Sequence, residues 1–95
     1  MFLIKKYANI PDRESKMKLF SKISSSREVG FLVRKTRQEA KITQKTLAML
    51  CNVGVRFISD LEGGKETLHL GKVLRVLENL GLEVRAFKRG GFKTL

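Results

Sequence analysis

The chain is poor in the residues on which enzymes build their chemistry. Of its 95 residues one is cysteine, one histidine, one proline and none tryptophan. A single cysteine, Cys51, permits no internal disulfide, which fits a reducing compartment. Cys51 and the lone His69 are too few for a closed zinc site. No glycine-rich loop is placed to cradle a phosphate. No catalytic set, metal or cofactor is therefore expected, and the chain reads as a non-enzyme. Long apolar runs are missing as well. None approaches the roughly 18 residues of a membrane span. Met1–Ile4 is apolar but is halted by Lys5 and Lys6, which makes it too short for a signal-peptide core and puts its charges on the wrong side. A cytoplasmic protein without a membrane partner is the expectation.

Acidic residues are scarce too: 9 Asp and Glu stand against 20 Lys and Arg, a formal net charge of +11. Each cation that meets a phosphate releases condensed counterion, so such a surface favours nucleic acid regardless of its sequence. Anionic membranes and acidic proteins attract the same charge. The excess is spread along the chain, with net +4 over residues 1–26, +4 over 27–81 and +3 over 82–95. Cys51 reads as a small buried apolar residue, and His69 as a surface residue.

A hydrophobic share of 42 % allows one small core. A folded unit of about 60 residues buries only roughly 60 % of the surface its unfolded chain exposes. Dimerisation is the simplest way to bury more.

Residues 1–10 alternate weakly and suit a short strand or arm, which Pro11 ends. Residues 12–26 read as a polar linker with a loose helical turn near Met17–Phe20. The first firm helix begins at the serine run, where Ser25 and Glu28 have capping-box spacing. Val29, Leu32, Val33 and Ala40 then share a face. Thr43 caps a second helix carrying Leu47, Ala48 and Leu50, and Asn52 suits the left-handed residue that ends it. A third helix spans Val55–Glu62 and stops at Gly63-Gly64. A fourth covers about 70–80, with an apolar stripe of Leu70, Val73, Leu74 and Leu77. Past Gly81 the period shortens to two: Leu82, Val84 and Ala86 alternate with Glu83 and Arg85, the pattern of a strand. One strand is not stable alone, so it must pair with residues 1–8 or with its own copy in a dimer. The residues from Gly90 to Leu95 read as a tail. The domain reading is an arm and linker over 1–24, a helical domain over 25–81, and a strand with tail over 82–95.

The segment T-Q-K-T-L-A-M-L-C-N-V-G-V-R-F-I-S-D-L-E-G-G (43–64) has the spacing of a helix-turn-helix. Leu47, Ala48, Val53, Ile58 and Leu61 lock two short helices together, and small Ala48 lets their backbones approach. The second helix then projects its first residues outward, where a major groove accepts them. Phe57, four residues before Leu61, reads as core.

Residues 29–81 resemble the Xre family, which includes the phage repressors and Cro proteins. Within it, G-F-L-V-R-K-T-R (30–37), T-Q-K-T-L-A (43–48), F-I-S-D-L-E-G-G-K (57–65) and K-V-L-R-V-L-E-N-L-G-L (72–82) are similar to the HipB-type antitoxins, DNA-binding partners of HipA-type kinase toxins. The resemblance implies a mainly α fold, a lambda-repressor-like bundle of four to five helices. It also implies a short C-terminal β-strand (Leu82, Val84, Ala86) pairing across a homodimer. Gln44 matches the residue that holds a phosphate and braces the recognition helix. Arg37 and Glu62 match an ion pair tying the first helix to the end of the third. Val55, Arg56, Ser59 and Asp60 match positions that face base edges; Thr43, Lys45 and Lys65 join them as candidate DNA contacts. Arg56 suits guanine O6 and N7, and Asp60 suits either cytosine N4 or repulsion of phosphate. Two residues depart from the family pattern. Lys41 stands where a glycine usually makes the turn between the first two helices, so the turn is expected to be either strained or widened, and Gly54 replaces a Ser/Thr cap.

The implied function is a sequence-specific repressor on double-stranded operator DNA, an inverted repeat. It would be the antitoxin of a HipA-like kinase, regulate its own operon, and sit in the bacterial cytoplasm on the nucleoid. Two other readings compete: a stand-alone Xre-type repressor without a toxin, and a protein-interaction module whose helix-turn-helix has lost DNA. An RNA-binding protein would need an aromatic platform that is missing.

Overall fold

In the computed structural model, residues 21–88 are described. They form four α-helices and no strand: α1 (Ser26–Glu39), α2 (Gln44–Cys51), α3 (Val55–Glu62) and α4 (Leu70–Asn79). The arm or strand expected over 1–10, the turn near Met17–Phe20 and the tail over 90–95 lie outside the described residues.

Three of the four helices start where a side chain satisfies an orphan amide. Ser25 Oγ accepts from the Glu28 amide at 3.3 Å. The Glu28 carboxylate accepts from the Ser24 amide, one residue earlier than a standard capping box would place it. Thr43 Oγ1 accepts from the Thr46 amide at 3.0 Å. Gly54 begins α3 with no side-chain cap. His69 begins α4, its Nδ1 accepting from the Lys72 amide at 3.3 Å.

The four helices also end alike. Lys41, Asn52, Gly64 and Gly81 have φ of 60°, 57°, 85° and 82°. The following residue in each case bonds back to close a Schellman turn: Ile42 to the Arg37 carbonyl, Val53 to Ala48, Lys65 to Asp60, and Leu82 to Leu77. The left-handed conformation suits glycine and is tolerated by asparagine. Lys41 adopts it as well, so the turn between α1 and α2 keeps its tight form under strain and does not widen.

α3 lies at the centre, packed on α1 and α2, and α4 packs on α2. The core consists of Val33, Leu47, Ala48, Cys51, Ile58, Leu61, Val76, Leu77 and Leu80. Full burial of a side chain such as Ile58 contributes about 1.5–3 kcal/mol. α1 meets the end of α3 through Gly30, where a methyl group would lie 2.3 Å from the Leu61 carbonyl oxygen. Ser26 Oγ donates to the Gly64 carbonyl at 2.8 Å, fastening the start of α1 to the same end.

One expectation, the inward stripe of α4, is corrected. On α4 the inward face is Val73, Val76, Leu77 and Leu80, while Leu70 and Leu74 point outward. Residues 82–88, expected as a strand through Leu82, Val84 and Ala86, carry neither helix nor strand. A strand is defined by its ladder of hydrogen bonds, and no second strand stands beside it among the described residues. Leu82 packs half-buried against the core, whereas Val84 and Phe87 are exposed.

Candidate nucleic-acid interface

α3 has two unlike faces. Ile58 and Leu61 are buried and Phe57 packs beside them, partly covered. Lys72 Nζ, from α4, lies over the Phe57 ring at 5.9 Å from its centroid, a cation–π contact. On the opposite side Val55, Arg56 and Ser59 are exposed. At i, i+1 and i+4 they share one side of the first turns.

Asp60 is half-buried, and its carboxylate lies 3.6 Å from Lys65 Nζ. The lysine offsets the acid's repulsion of a polyanion. Thr43 and Lys45 are exposed at the start of α2. Arg56 and Lys45 take part in none of the ion pairs among the described residues, so their charges are available to a ligand.

The position of this face is set by one carboxylate. Glu62, at the end of α3, accepts from Arg37 Nε at 2.6 Å and Arg37 Nη2 at 3.1 Å. It also accepts from Gln44 Nε2 at 3.0 Å. The remaining Arg37 Nη1 donates to the Ile42 carbonyl at 2.8 Å. Both charged side chains are largely covered, at 11 % and 4 % exposure, so the bidentate geometry matters: a buried charge without its partner costs about 3–5 kcal/mol. One arginine thus ties α1, the α1–α2 turn and α3 together, while Gln44 adds α2. In this structure Gln44 braces α3 through Glu62.

The other end of α2 is also held. Arg75 Nη1, from α4, donates to the Cys51 and Asn52 carbonyls at 3.3 Å and 3.5 Å. A cation at a helix C-terminus is favourable to the helix dipole. Cys51 is buried beside it. Burial pushes the Cys51 thiol up from its ordinary value, and the Arg75 charge opposes this more weakly, so the thiol stays protonated and poorly nucleophilic.

Sequence reading missed three of these contacts. The His69 cap had a weak signal, a polar residue just before an apolar stripe. Ser26 to Gly64 and Arg75 to the α2 terminus span 38 and 23–24 residues; no local pattern carries them.

A helix pair with one locked face and one free face at the start of the second helix defines a helix-turn-helix protein. The helix-turn-helix family model matches residues 33–87, and the chain belongs to that family, in its Xre-type form. An uncharacterised HTH-type transcriptional regulator, y4mF of Sinorhizobium fredii, is 46 % identical over 63 residues, covering 66 % of this chain and 83 % of the relative. Among solved structures, the MDT protein and a chain of the HipA-HipB-O2-O3 complex each match with a TM-score of 0.67 and 24 % identity, over 74 % of this chain and 99 % of theirs. That likeness is one of fold. The protein is a DNA-binding transcriptional regulator of the helix-turn-helix class. Among the described residues no helix is long and apolar enough to cross a membrane.

Proposed function

We propose that this protein is an operator-binding repressor that acts as a homodimer, with α3 as its recognition helix. The observation that carries the reading is the division of α3: Val55, Arg56 and Ser59 stand free while Ile58, Leu61 and Glu62 are fixed by core and ion pair. Arg56 reads a guanine through O6 and N7, and Val55 meets a thymine methyl. Ser59 and Asp60 complete the reading face. Thr43, Gln44, Lys45 and Lys65 hold the flanking phosphates. Two copies joined through Leu82, Val84 and Ala86 would address two half-sites about one helical turn apart.

We further propose that the protein is the antitoxin of a HipA-like kinase and represses its own operon from the nucleoid. Support comes from the fold shared with a chain of the HipA-HipB-O2-O3 complex. A second reading, a repressor with no toxin partner, is equally compatible with a relative named as an HTH-type transcriptional regulator.

Binding is tested on the duplex upstream of the protein's own gene across a salt series. A linear fall of log affinity with log salt, together with preference over random duplex, is expected. Equal affinity for both duplexes would refute sequence-specific binding. Co-purification of a HipA-like kinase encoded beside the gene is expected for an antitoxin; a neighbouring kinase that fails to bind would favour the second reading.

A further inference from the structure

The turn between α1 and α2 needs a left-handed residue, and a lysine, whose side chain the fold does not use, supplies it. Lys41 sits at φ 60°, where a β-carbon crowds the following carbonyl. The three corresponding helix ends use Asn52, Gly64 and Gly81, residue types that take this conformation with less strain. The Lys41 side chain is exposed. Among the described residues its ammonium has no ion pair and no hydrogen bond, so the turn's backbone bonds hold the conformation while no side-chain contact within the fold calls for a lysine. A costly residue type whose side chain makes no contact within the fold points to a role with a ligand.

The turn's place is not arbitrary. Arg37 Nη1 holds the carbonyl of Ile42, the next residue, while the same guanidinium holds Glu62 at the end of α3. Lys41 is therefore in fixed register with the recognition helix. It lies two residues before Thr43, at the edge of the segment proposed to meet DNA backbone.

From this we infer that Lys41 is a further phosphate contact of the DNA-binding surface, retained at a position where glycine would give a more stable turn. The inference rests on the DNA-binding reading above. It assigns Lys41 a backbone-positioning role without base readout, so its loss weakens specific and random duplex alike.

The test compares the full chain with Lys41→Gly, Lys41→Arg and Arg56→Ala, by thermal melting and by titration of the upstream duplex and a random duplex across salt. Lys41→Gly is expected to melt roughly 4–8 °C higher. It should bind both duplexes about 5-fold or more weakly, with a salt slope shallower by about 1 for each lysine removed. Lys41→Arg should keep the affinity and slope without the gain in melting temperature. Wild-type affinity and slope in Lys41→Gly would overturn the inference. If Arg56→Ala in the same experiment still lost preference for the upstream duplex, the DNA-binding reading would stand without Lys41. A wild-type protein that binds neither duplex would overturn both.

Discussion

At the scale of single residues, the protein shows where a helix-turn-helix tolerates a weaker choice. Gly54 opens the recognition helix with φ −76° and no side-chain cap. The space around it is open, with nothing within 4 Å of where a β-carbon would lie. Serine fits there, can accept an orphan amide of α3 and restricts the unfolded chain. Gly54→Ser should stabilise the fold by about 0.5–1 kcal/mol, read as a higher urea midpoint with an unchanged slope. A lowered midpoint would show that the glycine is required by the backbone.

Legibility at this scale followed the range of the signal. The Thr43 cap, the left-handed Asn52 and the position of Cys51 depend on their immediate neighbours and were readable. The lysine at 41 was readable as an oddity, and only its φ decided between a strained turn and a widened one. Ser26, His69 and Arg75 act on partners that the chain brings together by folding, apart from the short reach of His69.

At the scale of elements, α3 was expected over Val55–Glu62 and forms over those residues. Its stop signal, Gly63-Gly64, is local and strong. The inward face of α4 was misread for a physical reason. Leu70, Val73, Leu74 and Leu77 obey helical spacing, and so do Val73, Val76, Leu77 and Leu80. The apolar arc is wide enough for both stripes, and only the neighbouring α2 selects one. On α1, Val33 and partly covered Val29 face inward as expected, but the closest approach is made by Gly30, whose small size carries no periodicity signal. Gly30→Ala places a methyl group 2.3 Å and 2.9 Å from the Leu61 and Glu62 carbonyl oxygens. These are backbone atoms and cannot rotate away. Overpacking of this kind costs about 1–3 kcal/mol, and the shift it forces also strains the Arg37–Glu62 pair. Against it stands a helix-propensity gain of at most about 1 kcal/mol. A net loss of about 2 kcal/mol is expected by urea denaturation; a stabilised variant would mean that α1 and α3 approach less closely than described.

For the whole molecule, exposed apolar side chains fall on α1 (Phe31), on α2 (Met49, Leu50), on α4 and on the stretch that follows it. Leu70 and Leu74 of α4, with Val84 and Phe87, expose apolar area that a small domain gains by covering. The alternation over 82–86 has strand character but no partner strand among the described residues, which is why a periodic signal did not become an element. Pairing with a second copy would supply both the ladder and the cover. Deleting residues 82–95 should therefore convert a dimer to a monomer in sedimentation equilibrium. It should also lower operator affinity far more than random-duplex affinity, because the second half-site is lost. A deletion that leaves the dimer intact would place the interface elsewhere.

On the proposed reading the free face of α3 reads DNA, with Arg56 as its main base contact. It is tested most directly by titrating wild type and Arg56→Ala against the upstream duplex and a set of single base-pair substitutions within it. Arg56→Ala is expected to lose about 1–3 kcal/mol of binding, and one G·C pair per half-site that matters to the wild type should cease to matter to the variant. A variant with unchanged affinity and the same dependence on every base pair would contradict it.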